Sequence, residues 1–199
     1  MTPSELNEIE LVELPAHQVF KELGYETLEG TDLNDERKNY NDVLLIDRLD
    51  TKIRQLNPDL PEIVYITAIN HVKSLTNPTT IENNREFHQM LLAGVKVPYQ
   101  SEGQTKYYAI KLVDFETATN NDFLAVRQLI IKQHEQKRTD HILFVNGLPL
   151  VLLEYKDPTN SSADIVQAYK QLGVTNYQKF IPRLFNYVYF LVISDRTYA

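Results

Sequence analysis

The chain contains no cysteine, which excludes disulfide frameworks and thiolate zinc sites and fits a reducing, cytoplasmic setting. No apolar run approaches the ~20 residues that a membrane helix needs. The start, Met1-Thr2-Pro3-Ser4-Glu5, is polar and acidic and does not read as a secretory leader. There is no Gly-x-x-x-x-Gly-Lys-Ser/Thr loop, so ATP binding by that route is excluded. The five histidines, His17, His71, His88, His134 and His141, have no i, i+4 pairing with one another, which argues against a helical histidine metal site. Internal repeats and low-complexity tracts are absent too.

Positive charge is in short supply. Lys and Arg number 20 against 27 Asp and Glu, a formal net charge of −7 over 199 residues. Read alone, that balance argues against a nucleic-acid binder. Its distribution is uneven, however: residues 1–60 hold 14 acids and 6 bases, whereas residues 131–199 hold 6 acids and 8 bases. Either the front is an acidic solvated face, or it docks a partner while the back faces DNA. The length suits one domain, and 43% hydrophobic with 24% charged residues excludes a disordered chain.

Thr2-Pro3-Ser4-Glu5 has the spacing of a capping box with Pro at the first helical position, which predicts a helix that Pro15 must kink or restart before Gly24 ends it. Residues 25–40 read as polar and turn-rich. Leu45, Leu49, Ile53 and Leu56 have helical spacing. Further helices are expected from Asp59-Leu60-Pro61-Glu62 to about Leu75 and from Thr80 to Ala93, stopped at Gly94. Beyond Gly94 the texture turns to β: Val95–Tyr99, Lys106–Phe115, Phe123–Lys132, and a hairpin of His141–Val145 and Leu148–Tyr155 around Asn146-Gly147. A helix from Ser162 to Leu172 and a strand from Tyr187 to Ile193 complete a mixed α/β order.

That hairpin carries the chemistry. Glu154 and Lys156 are two residues apart on a strand, so both leave the same face. Asp140, on the other arm, joins them only in one register. A two-residue turn pairs 145 with 148 and puts Asp140 and Glu154 on opposite faces. A longer loop or a bulge sets 140 opposite 154, and Pro149 already disfavours a regular ladder. The expectation is therefore the odd register or a bulge. Two facing carboxylates with water suit Mg²⁺, and the Tyr155 carbonyl between the two side chains is a candidate further ligand. Lys156 beside them can supply positive charge to a phosphoryl transition state. The spacing alone also fits solvated edge charges. Against that, Leu148-Pro149-Leu150-Val151-Leu152-Leu153 reads as a buried strand, and a charge pair ending such a strand needs a partner.

The segment Arg138-Thr139-Asp140-His141-Ile142-Leu143-Phe144-Val145-Asn146-Gly147-Leu148-Pro149-Leu150-Val151-Leu152-Leu153-Glu154-Tyr155-Lys156 closely resembles the nuclease segment of the R subunit of type I restriction enzymes. The resemblance extends over nearly the whole chain, through Glu36-Arg37 to Leu45, Leu56 to Pro61, Asn84-Arg85-Glu86-Phe87-His88, Gly94-Val95 and Leu191-Val192-Ile193-Ser194-Asp195. It implies an α/β restriction-endonuclease-like PD-(D/E)xK core, a mixed central sheet flanked by helices with an inserted helical segment. One endonuclease domain would cover residues 1–199, with the insert at about 36–93 and the sheet core at about 95–199. Asp140, Glu154 and Lys156 would be the metal-binding and catalytic residues. By the same resemblance Glu13 would be the first-helix glutamate that completes the acidic site, against a plain reading as helix-start charge. Gln171 would be the Gln of the family's Gln-x-x-x-Tyr motif, against a plain reading as an exposed helical amide. This chain departs from that motif, with Thr175 at the Tyr position and Tyr177 two residues further on.

The resemblance further implies Mg²⁺-dependent hydrolysis of double-stranded DNA after ATP-driven translocation. ATP would bind only through helicase-like motor domains that follow in the longer subunit, this chain being an N-terminal nuclease fragment. Modification (M) and specificity (S) subunits would be partners, no membrane would be involved, and the setting would be the bacterial cytoplasm. Two rival expectations remain: a non-catalytic docking module of the same complex, and a stand-alone repair or resolvase nuclease on the same fold.

Overall fold

The computed structural model describes residues 7–157, 159, 165–173 and 176–195. The predicted cap at Thr2–Glu5 lies outside them. The chain is already helical at Asn7, passes through a π-helical turn, Ile9–Glu13, and continues directly as α1, Leu14–Glu22. Pro15 thus neither stops nor restarts the helix. It has no N–H to donate one turn back and its ring crowds that turn, and the wider turn ahead of it accommodates both. Gly24, at φ 90°, ends α1 as predicted. Its N–H donates to the Lys21 carbonyl and the Tyr25 N–H donates to that of Phe20, a Schellman pair sealed by the Phe20–Tyr25 ring contact.

Residues 25–40 are not only turns, because β1 (Glu26–Glu29) lies within them. Three helices follow: α2 (Ile46–Leu56), α3 (Glu62–Lys73) and α4 (Thr80–Ala93). A full capping box holds the start of α4: the Glu82 N–H donates to Thr79 Oγ1, and the Thr79 N–H donates back to the Glu82 carboxylate. A separate hairpin of β2 (Val95–Ser101) and β3 (Gln104–Ile110) comes next. The predicted strand over Phe123–Lys132 is two strands, β4 (Phe123–Arg127) and β5 (Ile130–Lys132), broken where Gln128 takes φ 54°. β5 pairs only with β6 (Gln136–Arg138). β7 (His141–Val145) and β8 (Leu148–Tyr155) form the expected hairpin. Helix α5 is described over Ile165–Leu172, so the expected start at Ser162 lies outside the described residues. Two short helices not expected from sequence follow, α6 (Tyr177–Phe180) and α7 (Pro182–Phe185). The last strand, β9, spans Phe190–Ser194, starting three residues later and ending one later than expected, because Tyr187 and Val188 enter the core ahead of it.

The central sheet runs β1-β4-β7-β8-β9, parallel at its two outer pairs and antiparallel at its two inner ones. The fold is mixed α/β, with a mixed sheet flanked by helices. Strand alternation separates two cores. Leu124, Val126, Ile142, Phe144 and Leu152 face a large cluster with Leu49, Ile53, Val64 and Phe87 of the helices. Ala125, Leu143, Leu153 and Tyr155 face a smaller one with Val12 and Phe20 beneath α1. Leu124, Val126, Ile142 and Leu152 are fully buried, and truncating Leu124, Ile142 or Leu152 to Ala costs about 2–5 kcal/mol.

The hairpin turn is tied into the helical segment. Asn146 and Gly147, at φ 53° and 79°, form the primed two-residue turn that the Asn-Gly pair favours. Buried Asn146 donates to the Leu112 carbonyl and to Asn121 and accepts from the Asp122 N–H. The Gly147 carbonyl accepts from the Leu45 N–H at 3.0 Å. The Leu45 carbonyl stands where a Cβ on residue 147 would go, so glycine is required there for space as well as for φ.

Candidate active site

The two arms of the hairpin meet through a two-residue turn and a bulge together. Val145 pairs with Leu148 and Phe144 with Pro149, but Leu143 pairs with Val151, so Leu150 is the extra residue. Past the bulge His141 pairs with Leu153, which carries Asp140 to the level and face of Glu154. A tight turn alone would have put the two carboxylates on opposite faces. Pro149, lacking an N–H, pairs with Phe144 immediately before the extra residue.

Asp140 Oδ2 accepts from the Tyr155 N–H at 2.7 Å. Glu154 Oε1 accepts from Lys156 Nζ at 2.8 Å. Lys156 also donates to Gln171 Oε1 at 3.4 Å, and Gln171 Nε2 donates to the Tyr177 hydroxyl at 3.2 Å. Tyr177 in turn donates to the Arg138 carbonyl at 2.7 Å, two residues before Asp140. Gln171 is therefore no free surface amide. Tyr177, displaced from the motif spacing, reaches the same cluster, because the short helix α6 folds it back under β6. Thr175 lies outside the described residues. Tyr155 meets the group through its N–H, and its phenol is buried with no hydrogen-bond partner.

The helical segment at the start of the chain closes the site from the other side of the sheet. Glu13, 2% exposed, accepts from Gln128 Nε2 at 3.0 Å and from Arg127 Nη1 at 3.3 Å. The positive φ that breaks β4 from β5 lies at Gln128, whose N–H donates to the Asp140 carbonyl. One residue therefore links Glu13 to the backbone of Asp140. One oxygen each of Glu8, Glu13 and Asp140 lie within 4.8 Å of one another. Sequence reasoning missed Glu8. Its only signal was the interval of five to Glu13, which has meaning only across a π turn.

Electrostatics fit a site short of positive charge. Burial first, then repulsion by Glu154, raises the Asp140 carboxyl well above its usual range. Burial also raises Glu154, despite Lys156. Glu8 is pushed up to about 7, chiefly by burial, with Lys156 opposing and the other acids adding to the rise. Lys156 is raised, its own burial being outweighed by Glu154 and the other acids, so it stays an ammonium ion. Glu154 Oε2 is buried without a well-formed hydrogen bond, although Asp140 and Tyr177 stand near it. The clustered oxygens of Glu8, Glu13 and Asp140, with the unsatisfied buried oxygen of Glu154 beside Asp140, fit a hard divalent cation such as Mg²⁺. A second feature absent from the sequence reading is a histidine pair. His17 Nδ1 and His141 Nε2 lie 3.0 Å apart, and burial pushes His141 down to about 3, so the pair is neutral.

The sequence matches the family described as type I restriction enzyme R protein N terminus over residues 5–199. It is 36% identical over 197 residues to the type I restriction enzyme HindI endonuclease subunit of Haemophilus influenzae, covering 96% of this chain and 18% of that protein. It is 33% identical over 201 residues to a Methanocaldococcus jannaschii protein provisionally named type I restriction enzyme MjaIXP endonuclease subunit, covering 96% of this chain and 19% of the relative. The chain thus spans less than a fifth of the length of these relatives.

Proposed function

The chain belongs to the type I restriction enzyme R protein N-terminus family, and from that premise we propose that it is the DNA-cutting domain of such a subunit, a Mg²⁺-dependent nuclease with a PD-(D/E)xK core. The observation that carries this reading is the bulged hairpin, which gathers Asp140, Glu154 and Lys156 at one corner of the sheet with Glu13 closing it. Asp140, Glu154, Glu13 and the Tyr155 carbonyl would hold the cation. When bound, Mg²⁺ polarises a phosphoryl oxygen and makes a coordinated water more acidic. The Lys156 ammonium offers its charge to the phosphate as negative charge builds there. Gln171, braced by Tyr177, holds Lys156 in place. The Asp140 carboxylate keeps its orientation through the Tyr155 N–H.

The substrate of this reading is double-stranded DNA in the bacterial cytoplasm. It would be delivered by helicase-like motor domains of the longer subunit, which bind the ATP, in a complex with M and S subunits. No helix among the described residues is long and apolar enough to cross a membrane. The test is plasmid nicking with Mg²⁺ by the full-length subunit in its complex, comparing wild type with Asp140→Ala and Lys156→Ala. Each variant is expected to lose about 10²- to 10³-fold in rate. Unchanged cleavage in both rejects the assignment and leaves a non-catalytic docking role. Cleavage by the subunit with neither ATP nor partners would favour a stand-alone repair or resolvase nuclease instead.

A further inference from the structure

The π turn ahead of α1 does more than accommodate Pro15. In an α-helix, residues five apart lie about 140° apart around the axis. In the turn Ile9–Glu13 hydrogen bonds reach five residues back, the Leu14 N–H donating to the Ile9 carbonyl. Glu8 is thereby rotated toward the side of Glu13, and both present an oxygen to Asp140 within the 4.8 Å group. Single π turns are often found at functional positions.

Two buried polar groups of the sheet lack a well-formed hydrogen bond to any described residue at this point. Glu154, 1% exposed, leaves Oε2 unpaired beside Asp140. Tyr155, 2% exposed, leaves its hydroxyl unpaired within electrostatic reach of Asp140 and Glu13. Buried groups of this kind are costly unless something else meets them. Pairing with Lys156 does not account for Glu8, since Lys156 Nζ is 4.0 Å from Glu8 and already 2.8 Å from Glu154.

We infer that Glu8 is a further cation ligand, so that one divalent ion bridges Glu8 and Glu13 of the first helical segment to Asp140 on the sheet. This rests on reading the site as a metal centre. It makes the cation a clamp between helix and sheet as well as a participant in chemistry. Water and substrate oxygens would take the positions that the protein ligands leave.

The test is calorimetric titration with Mn²⁺ of wild type, Glu8→Gln, Asp140→Asn and Glu10→Gln, with the melting temperature of each measured with and without Mg²⁺. Glu10 is exposed on the same segment and serves as a control for local charge. Glu8→Gln is expected to weaken Mn²⁺ at least tenfold and to lose most of the Mg²⁺-induced gain in melting temperature, while Glu10→Gln keeps both. Wild-type Mn²⁺ affinity in Glu8→Gln, with loss in Asp140→Asn, overturns the role of Glu8 and leaves the metal centre standing. No Mn²⁺ binding by wild type overturns both. Loss of Mn²⁺ in Glu8→Gln, with DNA cleavage unaffected by Asp140→Ala, keeps the clamp and rejects the nuclease reading.

Discussion

The β7–β8 hairpin carries a knot of charge at each end, and the two are built on opposite terms. At the turn end Arg48 meets three carboxylates. It holds Glu36 with two donors at 2.7 and 2.8 Å, Glu26 at 2.6 Å and Asp122 at 3.1 Å. The guanidinium drives the Glu36 carboxyl below its ordinary range and is itself raised by the three acids. At the open end Lys156 stands among Glu154, Glu8 and Asp140, all pushed upward, and a buried carboxylate oxygen is left without a partner. A planar fork of donors can satisfy several carboxylates at once, whereas an ammonium is a point charge that settles on one. The turn end is closed upon itself and holds the helical segment to the hairpin. The open end leaves its carboxylates unbalanced, which suits the cation proposed for it.

The sharpest way to break the contrast is to remove the fork. Arg48→Ala strands three carboxylates, and chemical denaturation is expected to show a loss of about 2–3 kcal/mol, below the range for a fully buried pair because Glu26 is half exposed. A loss under about 1 kcal/mol would mean that Asn146 and Gly147, not charge, hold that end. The converse holds at the open end. Asp140→Asn removes a crowded charge and leaves an oxygen to accept from the Tyr155 N–H, so in the absence of divalent cations it should stabilise the protein by about 1 kcal/mol, read from the same denaturation curves. Destabilisation there would erase the difference between the two ends.

The smallest effect is in pH. A carboxyl raised in the folded state holds its proton longer than in the unfolded chain, so stability falls as pH climbs from the unfolded value toward the folded one. For Glu8 that window runs from 4.5 to about 7. His141 works the other way, losing stability as pH falls from 6.5 toward about 3. An unfolded histidine is still half protonated at its ordinary value of 6.5, so the histidines oppose the acids there, and comparison with Glu8→Gln at the same pH values cancels their part. Between pH 6.5 and pH 8 the cation-free wild type should therefore lose more stability than cation-free Glu8→Gln, by less than ~1 kcal/mol once the exposure of Glu8 is discounted. Saturating Mg²⁺ should remove that excess loss, and equal losses in the two proteins without Mg²⁺ would contradict the crowding.

Much of the fold was legible. Helices α2 to α4, with Gly94 as terminator, and the β7–β8 hairpin follow from apolar spacing and from Gly, Pro and Asn punctuation, and each lies within about two residues of its expected limits. β1 was not legible. Its four residues, Glu-Thr-Leu-Glu, are polar, and they form a strand only because the β4 edge is there to pair with. The split of β4 from β5 was hidden for a similar reason: Val, Ile and Leu continue through the break, and only tertiary contacts place Gln128 in a positive φ.

For the site, residue spacing and resemblance named Asp140, Glu154, Lys156, Glu13 and Gln171. The register condition, that a bulge or odd loop must set Asp140 opposite Glu154, also follows from the period of two along a strand. Which residue bulges is a tertiary matter, settled at Leu150 beside a turn pinned from outside through Leu45 and Asn146. Glu8 and the His17–His141 pair became visible only in three dimensions, and only there does Tyr177, two residues off the motif position, reach the site. Sequence spacing holds information about neighbours on one regular element. These groups meet through a π turn, a four-residue helix and the packing of a helix on a sheet, whose geometry no single periodicity encodes.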